Sequence, residues 1–151
     1  MYDFEKMDEK YIIFGNIFLL SNRLQTVMDS NIEELTAKQW LTAMMLGMFD
    51  EPPTLKKLAK ICDSSHQNIK QIVSKLELKG FIHIENDSKD LRAMRIVTTD
   101  KWAKWNENNN ENSIRFIAKM FENLTEEEIS IMSRAQLKIY KNLENMEENI
   151  K

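Results

Sequence analysis

The side chains of this sequence best suited to chemistry are amides and ammonium groups, gathered between Ser65 and Lys75. Ile69, Ile72, Val73 and Leu76 recur at i, i+3, i+4 and i+7, the spacing of a helix face turned toward a core. At about 100° per residue, Gln67, Lys70, Gln71 and Ser74 fall on the opposite face, with His66, Asn68 and Lys75 on its flanks. A carboxamide pairs bidentately with an adenine edge, and an ammonium group reaches guanine or a phosphate. A face of this kind, free of carboxylates, suits the major groove of duplex DNA. An ordinary solvated helix face more often mixes Glu with Lys.

Catalytic chemistry finds little footing. There is no Gly-rich phosphate loop, nucleophile elbow or paired-His helix motif, so neither enzyme activity nor a cofactor is expected. The two histidines, His66 and His83, fall on different elements, too few and too far apart for a metal site. Cys62 stands alone, which excludes an intrachain disulfide or a CxxC site. It lies on the apolar side of a short helix and is expected to pack as a small hydrophobe rather than to serve as a redox sensor.

The net charge of −3 conceals a division along the chain. From Thr54 to Arg95 there are nine Lys and Arg against five Asp and Glu, whereas the rest carries twelve against nineteen. A local positive excess on an acidic scaffold is the electrostatic footprint of a DNA-contacting module. No apolar run reaches the ~20 residues that cross a bilayer. The opening Met-Tyr-Asp-Phe-Glu-Lys lacks the basic start and apolar core of a signal peptide. The expected compartment is the cytoplasm, with no membrane partner.

Three Gly and two Pro in 151 residues favour helices. A first helix is expected from about Phe4 to Ser30. Phe4, Met7, Tyr11, Phe14 and Phe18 form one stripe, and Ile13, Ile17, Leu20 and Leu24 adjoin it. An apolar face this wide calls for clamping between the chain's own domain and a second subunit. Thr36 and Gln39 make a capping box for a second helix ending near Phe49, with Leu35 stapled to Trp40. Thr54 caps a third helix with Leu55, Leu58, Ala59 and Ile61 inward. Ser65 caps the fourth, the amide-bearing helix, and Gly80 stops it. Alternating runs at Ile82–Glu85 and Met94–Thr98 read as a β-hairpin. Of two closing helices, the first holds five Asn and no apolar residue between positions 106 and 113. That stretch could be solvated, kinked or frayed. The second opens with a Thr125–Glu128 capping box and carries a near-heptad seam of Ile129, Met132, Ile139, Leu143, Met146 and Ile150, a surface for a partner helix.

From Leu58 to Thr99 the sequence resembles the recognition region and wing of the MarR family, the multiple-antibiotic-resistance regulators. Asp87-Ser88-Lys89-Asp90-Leu91-Arg92 is similar to that family's wing motif D-P-x-D-x-R, and the order of elements matches end to end. The departures are Ser88 for the wing Pro, Ile84 and Glu85 where the family often has two Arg, Thr98-Thr99 for Leu-Thr, and no Gly after them. The fold implied is mostly α with a small β-hairpin. Residues 35–99 would be a winged helix-turn-helix, and residues 1–34 and 100–151 a helical dimerisation region. The resemblance also implies a homodimer that represses, or occasionally activates, nearby genes from a palindromic site on double-stranded DNA.

The DNA-facing residues would be Ser65, His66, Gln67, Asn68, Lys70, Gln71, Ser74 and Lys75, with Lys89, Asp90 and Arg92 on the wing. Arg92 carries over as the minor-groove or phosphate contact and Asp90 as the carboxylate that orients it. Glu85 and Asp87, near the tip, are expected to repel phosphate. A small aromatic effector is also implied, for which Phe14, Phe18, Trp40, Met44, Met48 and Trp102 are candidate walls, although a Met-rich core is the plainer expectation for the methionines. The competing reading is a winged-helix protein-interaction module that never touches DNA, favoured by the acidic overall charge and the altered wing.

Overall fold

Short polar side chains decide where most of the helices begin. In the computed structural model, which describes residues 7–87 and 93–149, Asp8 accepts the Lys10 N–H at 2.8 Å and opens α1, Glu9–Asn31. The helix therefore starts later than its apolar periodicity suggested; Phe4 lies outside the described residues. The Thr36–Gln39 capping box opens α2, Ala37–Leu46, with bonds of 3.3 and 3.2 Å. Asp29, near the end of α1, accepts the Ala37 N–H at 2.6 Å. A carboxylate at a helix N-terminus also interacts favourably with the helix dipole, so α1 is tied to α2 at this point. Helix α2 ends at Gly47, short of Phe49.

Thr54 caps α3, Leu55–Ile61. Leu58 and Ala59 are buried, but Ile61 is 39% exposed and does not face inward as expected. Leu58 and Cys62, four residues apart, share the inward stripe and leave Ile61 at its margin. Ser65 caps α4, His66–Leu78, by accepting the Asn68 N–H at 3.2 Å. That helix closes in a Schellman turn: Gly80 donates to Glu77 at 2.9 Å and Phe81 to Leu76 at 3.0 Å. Gly80 has φ +78°, which a residue with a Cβ adopts only at a cost.

Strands β1, Ile82–Asn86, and β2, Met94–Thr98, pair antiparallel with Ile82 opposite Thr98 and Glu85 opposite Arg95. Helix α5, Asp100–Met120, runs unbroken through the Asn-rich stretch, whose side chains are mostly exposed. Helix α6, Glu126–Glu148, begins with the Thr125–Glu128 capping box. The Thr125 backbone and hydroxyl hydrogen bonds hold the Glu128 carboxyl below its ordinary range.

The chain divides into two compact units, Met1–Trp105 and Asn106–Lys151. The core of the first is built on Leu58, Ile69, Val73, Leu76, Phe81, Ile82 and Ile96. Trp102 and Trp105 stack at 5.7 Å and present their rings edge-on to Phe81 at 6.5 and 6.3 Å. Each large apolar side chain so buried contributes about 1.5–3 kcal/mol. In contrast, neither α1 nor α6 buries a single residue. Tyr11, Phe14, Phe18 and Leu20 lie open on the first, as do Leu137, Leu143 and Met146 on the second. No helix among the described residues is long and apolar enough to cross a membrane.

Candidate nucleic-acid interface

The joint between α3 and α4 is tight because Asp63 takes a left-handed turn, φ +46°, and the Ser64 N–H donates back to the Ala59 carbonyl at 3.0 Å. Asp tolerates that backbone region better than most residues. Helix α4 then sits with Ile69, Ile72, Val73 and Leu76 buried, and with His66, Gln67, Asn68, Lys70, Gln71, Ser74 and Lys75 exposed. Among the described residues, the side chains of His66, Gln67, Lys70, Gln71 and Lys75 engage no hydrogen-bond or ion-pair partner, so their donors and acceptors face solvent.

Three other candidates are already engaged. The Ser65 hydroxyl is the cap, Asn68 donates its amide to Ser64 Oγ at 2.7 Å, and the Ser74 hydroxyl donates to the Lys70 carbonyl at 2.9 Å. The carboxylate of α4, Glu77, accepts the Ile84 N–H at 3.2 Å and so faces the hairpin rather than the amide face.

On the wing, His83 and Glu85 pair at 3.3 Å and are exposed. Asp87 departs from expectation. Its side chain is only 7% exposed and is gripped by the Arg95 guanidinium through both Nε and Nη2. The counter-charge is local, so Asp87 does not confront a phosphate bare. Arg95 also donates from Nη1 to the Pro52 carbonyl at 3.0 Å, and Ile96 N–H donates to the Pro53 carbonyl at 3.0 Å. The first half of β2 is thus stitched to the connector between α2 and α3. Lys89, Asp90 and Arg92 lie outside the described residues.

Two features of this surface were missed in the sequence. Lys56, Lys57 and Lys60 are exposed on α3, the helix that packs against α4, and the local charge excess pointed to them without naming them. The Arg95 tie had no sequence signal, because its partner carbonyl belongs to a distant segment. The effector candidates are dispersed in environment. Trp102 belongs to the aromatic core, Trp40 is half-buried, and Met44 and Met48 are exposed. Phe14 and Phe18 meet edge-on at 5.4 Å on the open face of α1. Cys62 is half-buried, and burial pushes its thiol up against a smaller opposing effect of the Thr42 hydroxyl.

No protein-family model and no curated protein matches the chain. Solved structures do. The MarR protein from Peptoclostridium difficile DA00132 superposes with a TM-score of 0.84 over 100% of this chain and 98% of that one, at 22% identity. This chain has the MarR fold. The organohalide-sensing regulator RdhR-CbdbA1625, in its 2,4-dichlorophenol-bound form, matches with a TM-score of 0.82 and 19% identity over 94% of this chain and 85% of that one. FabT of Streptococcus pneumoniae, in complex with DNA, matches with a TM-score of 0.71 and 19% identity over 92% and 99%. At these identities the likeness to MarR proteins is one of fold. Its elements follow in the order α1, α2, α3, α4, hairpin, α5 and α6, as the sequence implied.

Proposed function

We propose that this chain is a MarR-family transcription regulator that binds duplex DNA as a homodimer, with α4 as the reading helix. The observation that carries this is the outer face of α4: free amide and ammonium groups, no carboxylate, and a buried inner face that fixes their direction. Lys56, Lys57 and Lys60 add positive charge on the neighbouring helix for phosphate. The uncovered apolar faces of α1 and α6 are what a second copy would bury.

On this reading, twofold symmetry sets a palindromic site, with half-sites about one helical turn apart. The protein acts as a repressor, with Arg92 of the wing contacting the minor groove or its phosphates and Asp90 orienting it. A neighbour solved with DNA and another solved with 2,4-dichlorophenol support extending the reading to DNA and to a small aromatic effector. The reaction chemistry of an enzyme has no part in it, and the protein works in the cytoplasm.

A mobility-shift experiment with the promoter of its own gene tests the core of this proposal. A shifted band that weakens steeply as salt rises is the expected result, because Lys and Arg release counterions from phosphate. Absence of any shift, at low salt and with random duplex as well, would favour the protein-interaction module instead.

A further inference from the structure

The C-terminal end of α4 is held by two lysines that converge on one residue of the α1–α2 turn. Lys79, the C-cap of α4, sends its ammonium to the Glu34 carbonyl at 2.5 Å and to Gln39 Oε1 at 2.8 Å. Lys101, in the first turn of α5, donates to the Glu34 carboxylate at 2.8 Å and to the Lys79 carbonyl at 3.1 Å. Its ammonium also lies 4.3 Å from the centre of the Phe81 ring. Beside it the Thr99 hydroxyl donates to the Gly80 carbonyl at 2.7 Å. Carbonyls left without partners at the end of a helix need donors, and here they come from the start of α5.

As an isolated ion pair, Glu34 with Lys101 would count for little, since both side chains are about half exposed. The arrangement matters more than the pair. Glu34 is held at φ +66°, outside the ordinary range for a residue with a Cβ, and such a conformation persists where its surroundings determine it. Gln39 is buried, and the oxygen that receives Lys79 also closes the α2 capping box. Lys79 is therefore moored to the rigid start of α2. Lys101 lies over an aromatic ring that Trp102 and Trp105 hold in place. Three segments far apart in sequence meet at this knot.

A dimer reads two half-sites only if each reading helix keeps a fixed tilt, because one base pair turns the groove by roughly 35°. We propose that Lys79 and Lys101 are positioning residues: they fix the tilt of α4 against the α1–α2 turn and so set the half-site spacing that the protein accepts. This inference rests on the reading of α4 as the DNA-reading helix of a homodimer.

The test uses duplexes carrying two copies of the half-site that the protein enriches from random duplex, at the preferred spacing and with that spacing lengthened or shortened by one or two base pairs. The wild-type protein should discriminate sharply among them. In the Lys79→Met/Lys101→Met protein that discrimination should fall about tenfold, within the range in which changes along a coupling network act. Affinity for the preferred spacing should fall much less. Lys70→Ala, on the reading face, should lower affinity at every spacing and leave the discrimination intact. Lys101→Arg should keep most of it.

Should the double variant fail to fold, Glu34→Gln takes its place, since it loses the ion pair and keeps the carbonyl that receives Lys79. A second measurement needs no DNA. Spin labels at Gln71→Cys, in a Cys62→Ser background, should report a narrow distance between the two α4 helices that broadens once the lysines are lost. Wild-type binding with unchanged discrimination and an unchanged distance distribution in the variants overturns the positioning role alone. A wild-type protein that binds no duplex overturns the reading of α4, and the spacing role with it.

Discussion

Arg95 of β2 grips Oδ2 of Asp87, the residue just past β1, through both Nε and Nη2, and the same guanidinium reaches the Pro52 carbonyl at 3.0 Å. One side chain thus joins both strands of the hairpin to the connector that precedes α3. The carboxylate is buried, so its charge is tolerable because the guanidinium answers it. Arg95→Ala is expected to cost about 3 kcal/mol in urea unfolding, and adding Asp87→Asn should recover part of that loss. Equal stability of the wild-type and Arg95→Ala proteins would show that the hairpin does not depend on this tie.

Reading and gripping should separate by residue. Gln71→Ala is expected to cost roughly 1–3 kcal/mol on the best site and to relax preference at one base position. Arg92→Ala should weaken specific and random duplex alike and lower the salt slope by about one. On the proposed orienting role of Asp90, Asp90→Ala should reproduce part of that effect, because Arg92 keeps its charge. Binding to matched, single-mismatch and random duplexes at two salt concentrations measures all three. Unchanged affinities in Arg92→Ala would make the wing structural.

On the proposed reading, a second copy covers the open apolar faces of α1 and α6. The dimer should bury about 2,000 Å² or more, as obligate dimers do, and light scattering should find no monomer at micromolar concentration. Ile139→Asp with Leu143→Asp places two charges in the α6 seam and should dissociate or unfold the protein.

Salicylate-like aromatic acids should release the protein from DNA, with Phe18→Ala and Met44→Ala blunting the response. Such a ligand acts only by binding the DNA-competent and incompetent states unequally. Fluorescence-detected titration of the complex reads it directly. Retention of DNA at millimolar acid would remove this ligand class from consideration.

The Cys62 thiol, raised by burial, should alkylate slowly at neutral pH and quicken only as pH climbs past the ordinary thiol range. A raised pKa favours the protonated folded form. The associated stability is therefore complete below the unfolded-state value and is lost as pH rises through the folded-state value. Iodoacetamide kinetics against pH, with denatured protein as the reference, provide the check.

The two faces of α4 were legible because helical period and side-chain type agree there. The starts of α2, α3, α4 and α6 were legible because each capping residue lies beside the N–H it serves. Contacts assembled from distant segments were not. Asp87 read as an outward charge until Arg95 and Pro52 came together beside it. Asn68 read as a free amide, although Ser64 lies one turn away and receives it. Ile61 misled because a two-turn helix has room for one stripe only. Nothing in the lysines at positions 79 and 101 signalled that both would meet Glu34.

The unbroken course of α5 through five asparagines has a consequence for the lifetime of its backbone hydrogens. Asparagine gives up several tenths of a kcal/mol per residue relative to alanine in a helix, and here the deficits fall side by side. The first turns of the same helix are pinned by two stacked tryptophans, whereas positions 106–112 have little apolar surface to hold them. Opening should therefore begin in the middle of the helix rather than at its N-terminal end. In deuterium exchange the amides of 106–113 should label well before those of Trp102 and Trp105, giving one continuous helix two separate clocks.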